Sequence, residues 1–199
     1  GEGVYTLRVD SNGYKAEAMV TLRKPWPWYM EKAKEAALSH PAKAADCCES
    51  WYGLYSAYLG MKYFPDEEED SQIDQKFQEI YGIIDYNEEG IPQNNPTRIQ
   101  NHSTTVGILV DKYQAGGTIE DLQKAIKIAD YLISCQDPQT GAYQGPSGDY
   151  TSVIYPAKSI MELMEVEAEM IAAGNDEEDW QDCYDRQYES VKKAMDNLV

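Results

Sequence analysis

The stretch that decides the fold class is Ala44–Phe64, AADCCESWYGLYSAYLGMKYF. If it is helical, apolar and aromatic side chains cover most of its circumference, which is typical of a helix buried on most sides. The segment 118–136 differs, because Leu122, Ile126 and Ile133 form a single apolar stripe. Helices of these two kinds alternate along the chain. The alternation predicts an inner layer of buried helices packed inside an outer layer of amphipathic ones.

Helical spacing predicts seven helices, at 27–38, 42–63, 67–85, 103–115, 118–136, 155–173 and 176–198. Residues 4–22 alternate in polarity instead, around the turn sequence Ser11-Asn12-Gly13, which predicts a β-hairpin. An isolated hairpin is at best marginally stable in water. The hairpin therefore either packs on the helices or is the end of a β-domain outside this chain. The predicted organisation is a β-hairpin over 1–24 and a helical array over 25–199.

The connections between the predicted helices alternate in length. Those near 64–66, 116–117 and 174–175 are short, whereas those at 86–102 and 137–154 are long. Long connections in compact domains are usually functional. A unit of outer helix, long loop, inner helix and short turn would place every long loop on one face of the array, where a site is expected.

Three segments carry a resemblance to a known family. Gln136–Tyr143 resembles a turn that follows outer helices, Trp51–Tyr55 resembles an aromatic inner-helix segment, and Arg98–His102 resembles a loop that faces the site. The family is that of the six-hairpin α/α toroids of carbohydrate-active enzymes, which include glycoside hydrolases and polysaccharide lyases. The resemblance implies a mainly α chain, an α/α hairpin array preceded by a short β-hairpin. It also implies a carbohydrate substrate and a periplasmic or secreted location in a bacterium.

A closed ring of this family has twelve helices, and seven are predicted here. We therefore expect part of a toroid with an exposed apolar edge at each end. Such edges favour a homo-oligomer.

Within the resemblance, glycoside hydrolysis by carboxylate acid/base chemistry is the leading expectation. Asp149 is the candidate general acid, and burial would have to raise its pKa. Glycoside hydrolysis needs a second carboxylate, for which Asp46, Glu49 and Asp85 are candidates. The alternative for Asp149 is that it only closes a glycine-rich turn.

A polysaccharide lyase acting on uronates is the first alternative function. Asn101 and Arg98 would neutralise the uronate carboxylate, and Tyr150, Tyr155 or His102 would transfer the proton. The alternative for His102 is packing on aromatic rings beside a helix cap. A non-catalytic glycan-binding or interaction scaffold is the remaining alternative function. The predicted catalytic residues are Asp149, His102 and Tyr150, and the predicted substrate-binding residues are Arg98, Gln100, Asn101, Tyr143 and Tyr155.

Aromatic side chains are candidate sugar-stacking platforms because they combine an apolar face with a polar tip. The candidates are Trp26, Trp28, Tyr29, Trp51, Tyr52 and Tyr143. Helical spacing favours a core role for Trp51 and Tyr55. Tyr143, in a predicted site-facing loop, is the candidate for direct glycan contact.

Composition excludes several other functions. The chain has 17 basic and 35 acidic residues and a net charge of −18, which disfavours binding to nucleic acids and to anionic membranes. No apolar run is long enough to span a membrane, and no secretion signal is expected at the start of the chain. The acidic runs 66–70 and 176–182 are expected to be solvated helix starts rather than calcium sites, and no cofactor motif is present. All four cysteines, Cys47, Cys48, Cys135 and Cys183, are predicted to be buried free thiols.

Overall fold

The computed structural model of the chain describes residues 2–39, 48–93, 99–145 and 151–196. It is 66% helical, and a short antiparallel hairpin precedes the helices, so the predicted fold class is confirmed at that level. The elements are β1 (Gly3–Ser11), β2 (Tyr14–Leu22), α1 (Trp26–Ser39), α2 (Cys48–Tyr63), α3 (Glu67–Ile84), α4 (Ile99–Gln114), α5 (Ile119–Ser134), β3 (Tyr143–Gln144), β4 (Thr151–Ser152), α6 (Ile154–Ala173) and α7 (Trp180–Asp196).

The N-terminal hairpin turns at Asn12 and Gly13, whose φ angles of 52° and 83° suit the tight turn of a two-residue loop. β1 and β2 pair in register, with Leu7 opposite Ala18. Every residue of both strands is exposed except Val20, which is half-buried. The hairpin therefore does not pack on the described helices, and that alternative is wrong.

The helices form two layers. α4 packs against α2 on one side and α6 on the other, and every residue from Ile99 to Val110 is buried. α1 packs on α2, α5 on α4, and α7 on α6. The inner layer is therefore α2, α4 and α6, which begin 51 and 55 residues apart. Their packing places the core at the boundary with the outer helices, around Trp51, Phe77 and Leu109.

Local sequence explains where several helices begin and end. The Asp66 side chain accepts a hydrogen bond from the Glu69 backbone N–H at 3.1 Å, which caps α3. The Asp121 carboxylate accepts from the Thr118 N–H at 3.0 Å at the start of α5. Gly174 ends α6 with a φ of 66°, in the left-handed region that glycine adopts without strain.

Two predicted helix starts are wrong. α4 begins at Ile99 and not at 103, because the polar residues that suggested a loop are buried inside the helix. α7 begins at Trp180 and not at 176. The Asn175 side chain accepts from the Glu177 N–H and from the Trp180 indole, so it closes a turn ahead of the helix.

Turns closed by an Asn or Asp side chain also follow α3 and α5, each with a glycine of positive φ. The Asn87 side chain accepts from the N–H groups of Glu89 and Ile91, and Gly90 has a φ of 76°. Fifty residues later, Asp137 accepts from the Thr140 N–H at 2.7 Å, and Gly141 has a φ of 67°. This repetition supports a tandem helix-hairpin organisation, with the two turns at the same end of the array.

Candidate functional site

Six consecutive polar residues, Gln100–Thr105, are buried at the start of α4. The hydroxyls of Ser103 and Thr104 each donate to the Gln100 carbonyl at 2.8 Å, and Thr105 donates to the Asn101 carbonyl at 2.9 Å. Bonds of this kind satisfy hydroxyl groups inside a helix. A polar segment can therefore lie in the interior, next to the end of the helices where the long connections lie.

His102 is fully buried in this segment. Its Nδ1 lies 2.7 Å from the Tyr86 hydroxyl, and the ring meets those of Tyr86 and Tyr131 edge-on. The Tyr86 hydroxyl donates to the Thr105 hydroxyl at 3.2 Å, so its oxygen is left to accept from an N–H at Nδ1. Burial lowers the pKa of His102 to about 4. His102 is thus a neutral core residue, and the proton-transfer role predicted for it would require the ring to become accessible.

Tyr143 is also fully buried. Its hydroxyl shares a hydrogen bond of 2.8 Å with the Ser190 hydroxyl on α7. Gln136, in the turn that precedes Tyr143, donates to the Ser190 carbonyl at 2.9 Å. These bonds fasten the turn to the outer layer and leave Tyr143 no exposed surface for stacking on a sugar.

The other predicted site residues are divided between the described and the undescribed parts of the chain. Four of them lie outside the described residues, namely Asp46, Arg98, Asp149 and Tyr150. The side chain of Glu49 is also outside the description. Among those described, Gln100 and Asn101 are buried in α4, Tyr155 is 43% exposed at the start of α6, and Asp85 is exposed at the end of α3.

A second cluster, which the sequence did not reveal, lies where α2 and α6 meet across α4. The Tyr55 hydroxyl of α2 donates to Glu162 Oε1 of α6 at 2.6 Å, although α4 packs between the two helices. Gly107 of α4 lies at the crossing, since a Cβ there would be 2.5 Å from the Tyr55 ring and 3.2 Å from Glu162 Oε2. Side chains from the two flanking helices therefore meet over α4 at this glycine.

Lys158 completes the contact between Tyr55 and Glu162. Its Nζ donates to the Tyr55 hydroxyl at 2.6 Å, forms an ion pair with Glu162, and lies 4.7 Å from the centre of the Tyr55 ring. Burial, and then the Glu162 carboxylate, raise the pKa of the Tyr55 hydroxyl. Tyr55 is therefore a hydrogen-bond donor at neutral pH and not a base.

Asp111 lies one helical turn beyond Gly107 on α4 and is half-buried. Burial, and then the negative charge of Glu162, raise its pKa to about 6, while Lys62 and Lys158 oppose the shift. Asp111 thus exchanges its proton close to neutral pH, as a general acid must. Two further tyrosines of the same helices are partly exposed, Tyr52 of α2 at 38% and Tyr155 of α6 at 43%.

We call this surface the inner face. It consists of Tyr52, Tyr55, Gly107, Asp111, Tyr155, Lys158 and Glu162. Tyr52 precedes Tyr55 by three residues, and Tyr155 precedes Lys158 by three, so each pair shares one face of its helix. The remaining aromatic candidates differ in position: Trp51 is 1% exposed and packs on Phe77, which confirms its core role, whereas Trp26 and Trp28 are exposed on α1.

Within the described ranges, no group of three or more His, Cys, Asp or Glu side chains is arranged to hold a metal ion. No helix in these ranges is long and apolar enough to cross a membrane. Cys183 is buried and Cys135 half-buried, and both are free thiols, while Cys47 and the Cys48 side chain lie outside the description. Comparison with known proteins found no matching family model, no matching curated protein and no matching solved structure.

Proposed function

We propose that residues 25–199 form part of an α/α hairpin toroid that binds neutral oligo- or polysaccharides on its inner face and hydrolyses them. The observation that carries the proposal is the contact of Tyr55 with Glu162 over Gly107. It supports a curved inner layer, as a toroid requires. It also brings carboxylates, a cation and tyrosines into one surface, the combination that suits sugar recognition.

The chemistry follows from the two carboxylates of the inner face. Asp111, with its pKa raised to about 6, donates its proton to the glycosidic oxygen as the bond to the anomeric carbon breaks. Glu162, oriented by Tyr55 and Lys158, assists the attack on that carbon, either by activating water or by bonding to it directly. Tyr52 and Tyr155 provide stacking surfaces. Asp149, Tyr150 and Arg98 remain candidates for the loops above this face.

Charge favours a neutral glycan over a uronate polymer as substrate. The chain carries a net charge of −18, and two carboxylates lie on the inner face, so a polyanion would be repelled. One observation favours the lyase alternative, namely that Lys158 and Tyr55 pair a cation with a phenol. The raised pKa of Tyr55 opposes its use as the base of a lyase. Hydrolysis is therefore the first candidate and uronate elimination the second.

The test is a panel of neutral and uronate oligosaccharides incubated with the wild-type chain, with Asp111→Asn and with Asp185→Asn. Asp185 is the matched control, because it is an exposed aspartate on α7 of the outer layer. Hydrolysis releases reducing ends, and elimination also creates a double bond that absorbs in the ultraviolet. Titration calorimetry on the same panel detects binding without turnover.

The proposal predicts reducing ends from a neutral glycan and no new absorbance. Asp111→Asn should lower kcat/KM by about 100-fold or more, the usual loss for a general acid, while Asp185→Asn leaves it unchanged. The wild-type rate should fall as the pH rises above about 6, where Asp111 loses its proton. Absorbing products would instead establish the lyase, and binding without products would establish the scaffold. Equal turnover by Asp111→Asn and the wild type would remove the inner face from the mechanism.

A further inference from the structure

We propose that the N-terminal hairpin is a homodimerisation element, in which one face of the hairpin packs against the same face of a second copy. The two faces of the hairpin differ in composition. One face carries, pair by pair, Gly3/Leu22, Tyr5/Val20, Leu7/Ala18, Val9/Ala16 and Ser11/Tyr14, and we call it the apolar face. The other face carries the ion pairs Arg8–Glu17 and Asp10–Lys15 in the half nearest the turn, and the exposed side chains of Val4 and Met19 in the other half.

The apolar face is uncovered, although its side chains are large. Exposure is 57% for Leu7, 62% for Val9, 81% for Tyr14 and 50% for Leu22. A two-stranded hairpin with nothing on its apolar face is at best marginally stable in water. A covering layer is therefore required, and the described helices do not provide it.

The shape of the apolar face fits a second copy of itself. In each cross-strand pair one side chain is larger than its partner: Tyr5, Leu7 and Val9 project from β1, while Ala16 and Ala18 leave a trough on β2. A two-fold axis parallel to the strands places β1 of one copy over β2 of the other at the same height. Leu7 then lies over Ala18 of the second copy and Val9 over its Ala16, as in the aligned packing of two sheets.

Charge also favours contact at this element. Residues 2–24 carry four basic and three acidic side chains, whereas the whole chain carries a net charge of −18. The hairpin is thus a nearly neutral part of a strongly acidic molecule, where two copies can approach without strong repulsion. Each strand has only nine residues, so an interface on this face is small and the dimer is a weak, reversible one.

The test is analytical ultracentrifugation of the whole chain from low to high micromolar concentration. The proposal predicts a reversible species of twice the 22.5 kDa chain mass. Leu7→Lys should weaken dimerisation by roughly 100-fold or more, because two buried leucines are lost from the symmetric interface. Thr6→Lys is the matched control, because it adds the same charge at the neighbouring residue on the opposite face, and it should dimerise like the wild type.

Helical circular dichroism checks that the variants are folded, since the hairpin does not pack on the helices. Amide hydrogen exchange gives a second readout, because exchange in β1 and β2 should slow with concentration in the wild type and in Thr6→Lys but not in Leu7→Lys. A wild-type chain that stays monomeric at high micromolar concentration would overturn the proposal and indicate that a different sheet covers the hairpin. A dimer that Leu7→Lys leaves intact would also overturn it and place the interface elsewhere, such as at an edge of the helical array.

Discussion

Glu167 is predicted to make the stability of the chain depend on pH. It lies on α6, fully buried against α7, and its Oε1 accepts from Gln187 Nε2 at 2.7 Å. Within the described residues, Glu167 Oε2 and Gln187 Oε1 have no hydrogen-bond partner. Both atoms are acceptors when the carboxyl is ionised, so a proton on Glu167 supplies the donor that this buried pair lacks.

The magnitude follows from the pKa. Burial raises the pKa of Glu167 from 4.5 to about 7. A shift of this size corresponds to about 3 kcal/mol of difference between the protonated and ionised forms. Because the folded pKa lies above the unfolded one, the folded state binds the proton more tightly. The stabilisation is therefore complete below pH 4.5 and is lost as the pH rises to about 7.

The perturbation is Glu167→Gln, which keeps the size of the side chain and supplies an amide donor at every pH. In urea denaturation, the stability of the variant relative to the wild type should be greater at pH 8 than at pH 5, by about 2.5 kcal/mol. Glu165→Gln is the control, because Glu165 is exposed on the same helix and its substitution also removes one negative charge. If the pH-dependent gain of Glu167→Gln stays within about 0.5 kcal/mol of the control, the buried acid–amide pair is refuted.

Three further substitutions test the packing. Gly90→Ala should lower the free energy of unfolding in urea by about 2–4 kcal/mol, because the new Cβ would lie 2.5 Å from the Lys127 carbonyl carbon and the φ of 76° strains an alanine. Gly82→Ala is the control and should not lower it, because Gly82 has open space around it. Equal losses for both variants would contradict the close approach at Gly90. Gly107→Ala should lower thermal stability by about 1–3 kcal/mol by displacing the Tyr55 ring from Glu162, and an unchanged melting temperature would argue against the contact over α4. Lys34→Met should cost about 3 kcal/mol, because Lys34 is buried and pairs with Asp70 at 2.8 Å. Lys32→Met, on the exposed side of α1, should leave the free energy of unfolding essentially unchanged, and similar losses for both variants would refute a buried ion pair.

Much of the fold could be predicted from the sequence because its signals are local. Capping side chains such as Asp66, and the glycine that ends α6, mark helix ends within a few residues, and the turn sequence Asn12-Gly13 marks the hairpin. The start of α4 could not be predicted in this way. Its serine and threonine hydroxyls bond within the helix, and only the surrounding layers bury them.

The candidate site was harder to predict, because sequence spacing does not say which way a side chain points. His102 and Tyr143 lie where site residues were expected, yet both face the interior, towards Tyr86 and Ser190. The inner face depends on a hydrogen bond between Tyr55 and Glu162, which are 107 residues apart. Its only local signal is the placement of Gly107 and Asp111, and of Lys158 and Glu162, one turn apart on their helices.

The most direct test of the account is to map where a neutral oligosaccharide binds, by amide chemical shifts of the isotope-labelled chain. If the inner face binds the glycan, the largest changes occur around Tyr55, Gly107 and Glu162, and they disappear in a Glu162→Gln, Asp111→Asn double variant. Changes confined to the outer helices α5 and α7, or no changes with any neutral glycan of the panel, would contradict it.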